Sequence, residues 1–184
     1  MKKTIVLTIL IAALALAACG RVSPAADAPQ SSAPVQLANP WRELPEEEAK
    51  ALCPKSFGVP EGAQNAVWSV LDSVADPSGV PGPLVQLSFD LYGNRFTARE
   101  QLTGDKADDI SGMFYEWTAR LEEALRLETG DELPCVSFRY IGEGGYADLC
   151  TWFDPAAGVS ASVSVVAPDL DGFDLLAIAE ALYR

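Results

Sequence analysis

The side chains that could do chemistry in this 184-residue chain are four cysteines and 26 carboxylates, because the sequence contains no histidine. Without histidine, neither a Ser-His-Asp nor a Cys-His nucleophile system can be assembled, and histidine-ligated zinc is excluded. Paired carboxylates could cleave a glycosidic bond, but that mechanism needs them roughly 5 to 9.5 Å apart, a separation that sequence cannot establish. The composition indicates no catalytic residues, and we expect a protein that is not an enzyme.

Two acidic segments could attract a divalent cation. Asp105, Asp108 and Asp109 lie in a loop beside Lys106. Residues 169–174, DLDGFD, resemble a calcium loop, but Asp174 stands where an EF-hand requires glycine. Solvation explains the first segment, and the start of a helix explains the second, because acids there face the positive end of the helix dipole. We therefore predict no metal site and no cofactor.

The charge balance restricts the partners. Acidic residues outnumber basic residues by 26 to 13, which gives a formal net charge of −13. This balance argues against a nucleic-acid partner, since binding to phosphates requires basic groups that displace counterions. The length suits one domain with a sizeable core.

The first twenty residues have the parts of an export signal. Lys2 and Lys3 precede an apolar stretch that ends at Ala18 and is too short to span a bilayer of about 30 Å comfortably. The stretch leads into Leu-Ala-Ala-Cys, which resembles the lipobox of bacterial lipoproteins. The resemblance implies cleavage after Ala18 and attachment of a diacylglyceryl group to Cys19. The alternative is an ordinary secretory signal in which the cysteine is coincidental.

We accordingly divide the chain into three parts. Residues 1–18 are predicted to be a lipoprotein signal peptide, residues 19–38 a lipidated flexible tether rich in Ala, Ser and Pro, and residues 39–184 a single domain. An acidic domain is repelled by anionic lipids, so the lipid must hold it at the membrane. The expected location is the extracytoplasmic face of the cell membrane.

Hydrophobic periodicity predicts an α+β fold, with a twisted antiparallel sheet of about six strands, an N-terminal helix and a C-terminal helix on one sheet face. The N-terminal helix follows Pro45 and ends before Pro54, and the C-terminal helix carries Leu175, Ile178 and Leu182 on one stripe. Residues 115–128 fit either a strand or a helix, and we favour a strand.

The first predicted β-hairpin has a Gly93-Asn94 turn, which pairs Tyr92 with Arg95. This register makes one face apolar and the other polar, with Glu100 as the exception on the apolar face. We expect Glu100 near a sheet edge in contact with water; a buried functional carboxylate is the alternative.

The second predicted β-hairpin has a Gly142-Glu143 turn and places Cys135 opposite Cys150. Directly opposite residues have Cβ atoms about 4.5–5.5 Å apart, within reach of a disulfide. With Cys19 assigned to lipid, we predict a Cys135–Cys150 disulfide and a free Cys53. The alternative is three reduced cysteines, while a redox-active pair is disfavoured because the chain has no CxxC motif.

Three tryptophans form a possible ligand face, although core packing is the more common role of such residues. They are Trp41, Trp117 and Trp152. The predicted register puts Trp152 on the same face as Cys150, so this face must be covered by another element or bind a ligand.

The order of the motifs resembles a group of uncharacterised lipoproteins of Gram-positive bacteria that carry a domain of unknown function. The matching residues are Asn39, Pro40, Trp41, Arg99, Asp109, Ile110, Ser111, Gly112, Ala147 and Trp152. The resemblance implies a cell-surface α+β domain and supplies no catalytic residue.

These observations favour a membrane-anchored, non-catalytic module that binds a protein, a peptide or an envelope component. One alternative is a carrier or sensor of an apolar small molecule, which requires a cavity between sheet and helix. A less favoured alternative is an envelope hydrolase, which requires Glu100 or Asp109 beside a second carboxylate in a cleft.

Overall fold

The computed structural model describes residues 39–75, 81–107 and 109–184. The predicted signal peptide and tether, and with them the predicted lipidation site Cys19, lie outside the described residues, as does Asp108.

The described residues form one antiparallel sheet of eight strands and two short helices. The strands are β1 (Arg42–Glu43), β2 (Gln64–Ala75), β3 (Pro81–Leu91), β4 (Asn94–Leu102), β5 (Ala119–Arg126), β6 (Glu132–Gly142), β7 (Gly145–Asp154) and β8 (Val159–Ala167). The helices are α1 (Glu46–Lys50) and α2 (Leu175–Leu182). The strand order is β1-β2-β3-β4-β8-β7-β6-β5, so two meanders meet where β4 pairs with β8.

The predicted six-stranded α+β fold is wrong, because the protein is mostly β. The N-terminal helix α1 has only 5 residues, and the chain after it forms the long strand β2, which the sequence analysis did not identify. In β2, Trp68 and Val70 alternate inward and are buried. The central segment is a strand, as favoured, but only over Ala119–Arg126.

The two faces of the sheet differ. The helix-covered face, with Trp68, Val85, Phe96, Val163 and Trp152, packs against both helices and forms the core. The predicted stripe of α2 is confirmed, since its apolar residues are buried there, and Asp174 caps the helix by accepting from the amides of Leu176 and Ala177. The opposite face carries the polar side chains of β4 and β8 and is covered in part by the loop between β4 and β5.

The loop between β4 and β5 is fastened to the sheet by Arg99. The Arg99 guanidinium donates to the Ser111 carbonyl and to Gln86 Oε1, and the Trp41 ring lies 5.0 Å from it. Gly112 has a φ of +67°, and a Cβ there would collide with the same guanidinium. The motif residues at positions 41, 99 and 110–112 therefore meet in one structural cluster.

The first hairpin has the predicted faces but a different register. Leu91 pairs with Asn94, so the turn consists of Tyr92 and Gly93, both with positive φ. Glu100 lies opposite Val85, and it is not at a sheet edge, because β8 pairs with the other side of β4. The expectation that Glu100 contacts water is wrong: it is 0% exposed.

Candidate functional site

A cleft of about 370 Å³ separates the start of α2 from strands β5, β6 and β7 on the helix-covered face. We call it the Arg139 cleft. Its floor is formed by Leu121, Glu123, Ser137, Arg139 and Asp148, and its wall by Phe173 and Leu175 with their neighbours. This volume is in the range of small-ligand sites, and the lining combines apolar side chains with a few charged groups, as such sites generally do.

The cleft floor contains a fixed ion pair. Arg139 and Asp148 lie directly opposite each other on β6 and β7. Arg139 Nε donates to Asp148 Oδ1 at 2.9 Å and Nη2 donates to Oδ2 at 2.7 Å, which raises the pKa of Arg139. Asp148 is 4% exposed, whereas about half of the Arg139 side chain faces solvent. A guanidinium held at two nitrogens keeps Nη1 available to a ligand acceptor.

The floor continues through Ser137, whose hydroxyl donates to Glu123. Beside Ser137 on the same sheet face lie two thiols, whose pairing across β6 and β7 differs from the predicted one. Cys135 is opposite Trp152, and Cys150 is opposite Ser137, because the turn is Glu143-Gly144 and the register is shifted by two residues.

The predicted Cys135–Cys150 disulfide is therefore absent, and both residues are free thiols, as is Cys53. The thiols are diagonal neighbours linked by a hydrogen bond, which lowers the pKa of Cys135 and, together with burial, raises the pKa of Cys150. Burial of Cys53 raises its pKa to about 12. Cys53 and Cys150 are therefore held as thiols, and none of the three cysteines lines the Arg139 cleft.

The three tryptophans do not form a shared ligand face. Trp152 is 3% exposed in the core, where Phe57 and Tyr183 pack edge-on against it. Trp41 lies over Arg99 on the opposite face, and the Trp117 ring lies 5.6 Å from the Phe138 ring at a tilted angle. The sheet face that carries Trp152 is thus covered by protein. This was one of the two expectations for that face, and the other was a bound ligand.

Glu100 is an internal anchor and does not line the cleft. Its carboxylate accepts from Ser56 Oγ at 2.7 Å and from the Phe57 amide at 3.2 Å, which ties the segment after α1 to the sheet. Burial raises the pKa of Glu100 to about 7, although both hydrogen bonds and Lys50 act in the opposite direction. Asp109 is exposed and accepts from the Ser111 amide. These positions do not give the paired carboxylates that the hydrolase alternative requires.

Sequence reasoning missed Arg139 and Asp148. The predicted register placed Ser137 opposite Asp148. A signal was present nevertheless, since a shift of two residues leaves the faces unchanged and sets opposite charges across from each other.

Within the described ranges, no helix is long and apolar enough to cross a bilayer. Comparison of the chain with protein-family models, with curated proteins and with solved structures finds no match. The site must therefore be interpreted from its own geometry.

Proposed function

We propose that this chain is a lipid-anchored, non-catalytic binding module on the extracytoplasmic face of a membrane and that its ligand occupies the Arg139 cleft. The observation that carries the proposal is the cleft itself, in which the nearly buried Asp148 fixes a half-exposed arginine beside an apolar wall. The anchor rests on the sequence of the first nineteen residues.

The cleft chemistry selects a ligand with two parts. Arg139 Nη1 donates to an anionic or carbonyl group, which favours a ligand with a hydrogen-bond acceptor at one end. Leu121, Phe173 and Leu175 offer apolar surface to the other end. An acylated amino acid or the end of a short peptide has both parts, whereas a purely apolar molecule leaves the charged floor unsatisfied.

Blocking the cleft should weaken binding of such a ligand. We expect N-acetylleucine to bind the full chain in dodecyl maltoside micelles, measured by ligand-observed NMR. Ala119 lines the cleft, and Ala119→Trp should lower the affinity by about tenfold or more, because the indole occupies the ligand volume. Ala124 is exposed on the other face of the same strand, so Ala124→Trp is the matched control. Equal affinities for the two variants would overturn the assignment.

The anchor can be tested in cells. Growth with a clickable fatty acid should label the wild-type chain, and Cys19→Ala should abolish the label and release the protein from the membrane fraction. Cys53→Ala controls for the loss of a cysteine elsewhere. Label that persists in the Cys19→Ala variant would exclude the lipid anchor, whatever the outcome at the cleft.

A further inference from the structure

A second cleft, of about 600 Å³, lies on the other side of α2. We call it the Tyr92 cleft. Its apolar wall includes Leu91, Phe173 and Ile178, and its rim carries Tyr92, Glu61, Asp174 and Arg184. It shares only Phe173 and Asp174 with the Arg139 cleft.

Tyr92 stands at the rim in an unfavourable backbone conformation. It occupies the first position of the β3–β4 turn with a φ of +50°, where asparagine or glycine is favoured and a bulky side chain is strained. The side chain recovers little by packing, since Tyr92 is 64% exposed. A strained, exposed aromatic residue at the rim of a cleft points to a contact that the free protein does not make.

The charges around the cleft favour a cationic occupant. Acids outnumber bases 26 to 13 in the chain, and eight basic side chains of the described residues already pair with carboxylates. Arg184, which also lines the cleft, is paired with Glu128 and donates to the Ala181 carbonyl, so its charge is already compensated. Glu61 is exposed, and Asp174 uses one oxygen, Oδ1, to cap α2.

We propose that the Tyr92 cleft binds a small organic cation, whose ammonium group contacts the Tyr92 ring and the Glu61 and Asp174 carboxylates while its apolar part packs on Leu91 and Ile178. Cation–π attraction to an aromatic face and a nearby carboxylate are the usual means of recognising an alkylated ammonium group. This site is independent of the ligand proposed for the Arg139 cleft.

Choline and its neutral carbon isostere, dimethylbutanol, test the proposal as a pair of probes. Amide NMR spectra of the full chain in dodecyl maltoside, which has no ammonium headgroup, should show choline-induced shifts at Leu91, Tyr92 and Ile178. We expect the isostere to bind at least about tenfold more weakly, since it has the same shape without the charge. Equal binding of the two probes would overturn the proposal.

Substitutions at Tyr92 separate binding from stability. Tyr92→Asn relieves the strain, so we expect a higher melting temperature together with a loss of choline affinity of about tenfold. Tyr92→Phe keeps the ring and should bind choline within about twofold of wild type. Unchanged choline affinity in Tyr92→Asn would contradict the proposal, because a purely structural role changes only the melting temperature.

Two further controls locate the site and the source of the cation. Glu61→Gln should weaken choline binding, whereas Glu143→Gln, at the exposed turn of the other hairpin, should not. Ala119→Trp should leave choline binding intact, so the Tyr92 cleft can stand even if the Arg139 cleft binds nothing.

Phosphatidylcholine vesicles present the same group at a lipid surface, and shifts that are larger with vesicles than with free choline would overturn the assignment to a free cation.

Discussion

Arg139→Met is expected to lower the free energy of unfolding by about 2 to 3 kcal/mol, measured by urea denaturation at neutral pH. The reason is that the Asp148 carboxyl group, at 4% exposure, would lose the two hydrogen bonds that now compensate its burial. Removing one partner of a fully buried ion pair destabilises a protein more than this. Here about half of the Arg139 side chain is exposed, so solvent already weakens the attraction within the pair.

The control is Arg126→Met, which removes an ion pair with Glu132 that is exposed on both sides. That variant should lose less than about 1 kcal/mol. The double variant Arg139→Met, Asp148→Leu should recover most of the stability, since no buried charge then remains. Equal losses in Arg139→Met and Arg126→Met would show that the Arg139–Asp148 pair contributes nothing beyond a surface ion pair.

Stability is expected to fall by about 3 kcal/mol as the pH rises from about 4.5 to above 7, owing to Glu100. Burial raises the folded-state pKa of this carboxyl from 4.5 to about 7. Between these values the folded chain retains a proton that the unfolded chain has released, so a rise in pH favours unfolding. The charged and titratable groups near Glu100 include Lys50, Cys53 and Tyr183.

Glu100→Gln, which keeps an acceptor for Ser56 and cannot ionise, isolates this effect in denaturation curves at about pH 5 and about pH 8. The variant should lose the dependence attributed to Glu100 and should be more stable than wild type at the higher pH. Glu143→Gln, at an exposed turn, should retain the wild-type dependence. Parallel curves for wild type and Glu100→Gln would disprove the link between this carboxyl and stability.

The hairpins show what the sequence could and could not predict. Alternation assigned the correct faces to Phe89, Phe96 and Cys150, because the face of each residue follows from a period of two. The same period makes registers two residues apart indistinguishable, so only the position of the turn could select the correct register. A turn at Tyr92-Gly93 was not expected, since tyrosine is unfavourable at positive φ.

The candidate sites could not be predicted in the same way. The Arg139 cleft requires the positions of β5, β6, β7 and the start of α2, which only tertiary packing defines. Glu100 was placed near water because β8 was not known to pair with β4. The strand β2 was missed as well. Phe57, whose amide donates to Glu100, was not assigned to the predicted core either, so nothing in the prediction covered this carboxylate.

The β4–β8 pairing has a consequence for how the chain acquires its structure. Phe96 pairs with Val165, so the middle of the sheet joins segments that are far apart in sequence, and closing such a long loop is slow. Each meander can assemble from neighbouring strands, but the first leaves β4 as an unpaired edge until residues 159–167 arrive. If the chain is exported starting from its N-terminus, the first meander emerges before β8 does. The unpaired edge of β4 can then pair with other chains, so aggregation is most favoured during this interval.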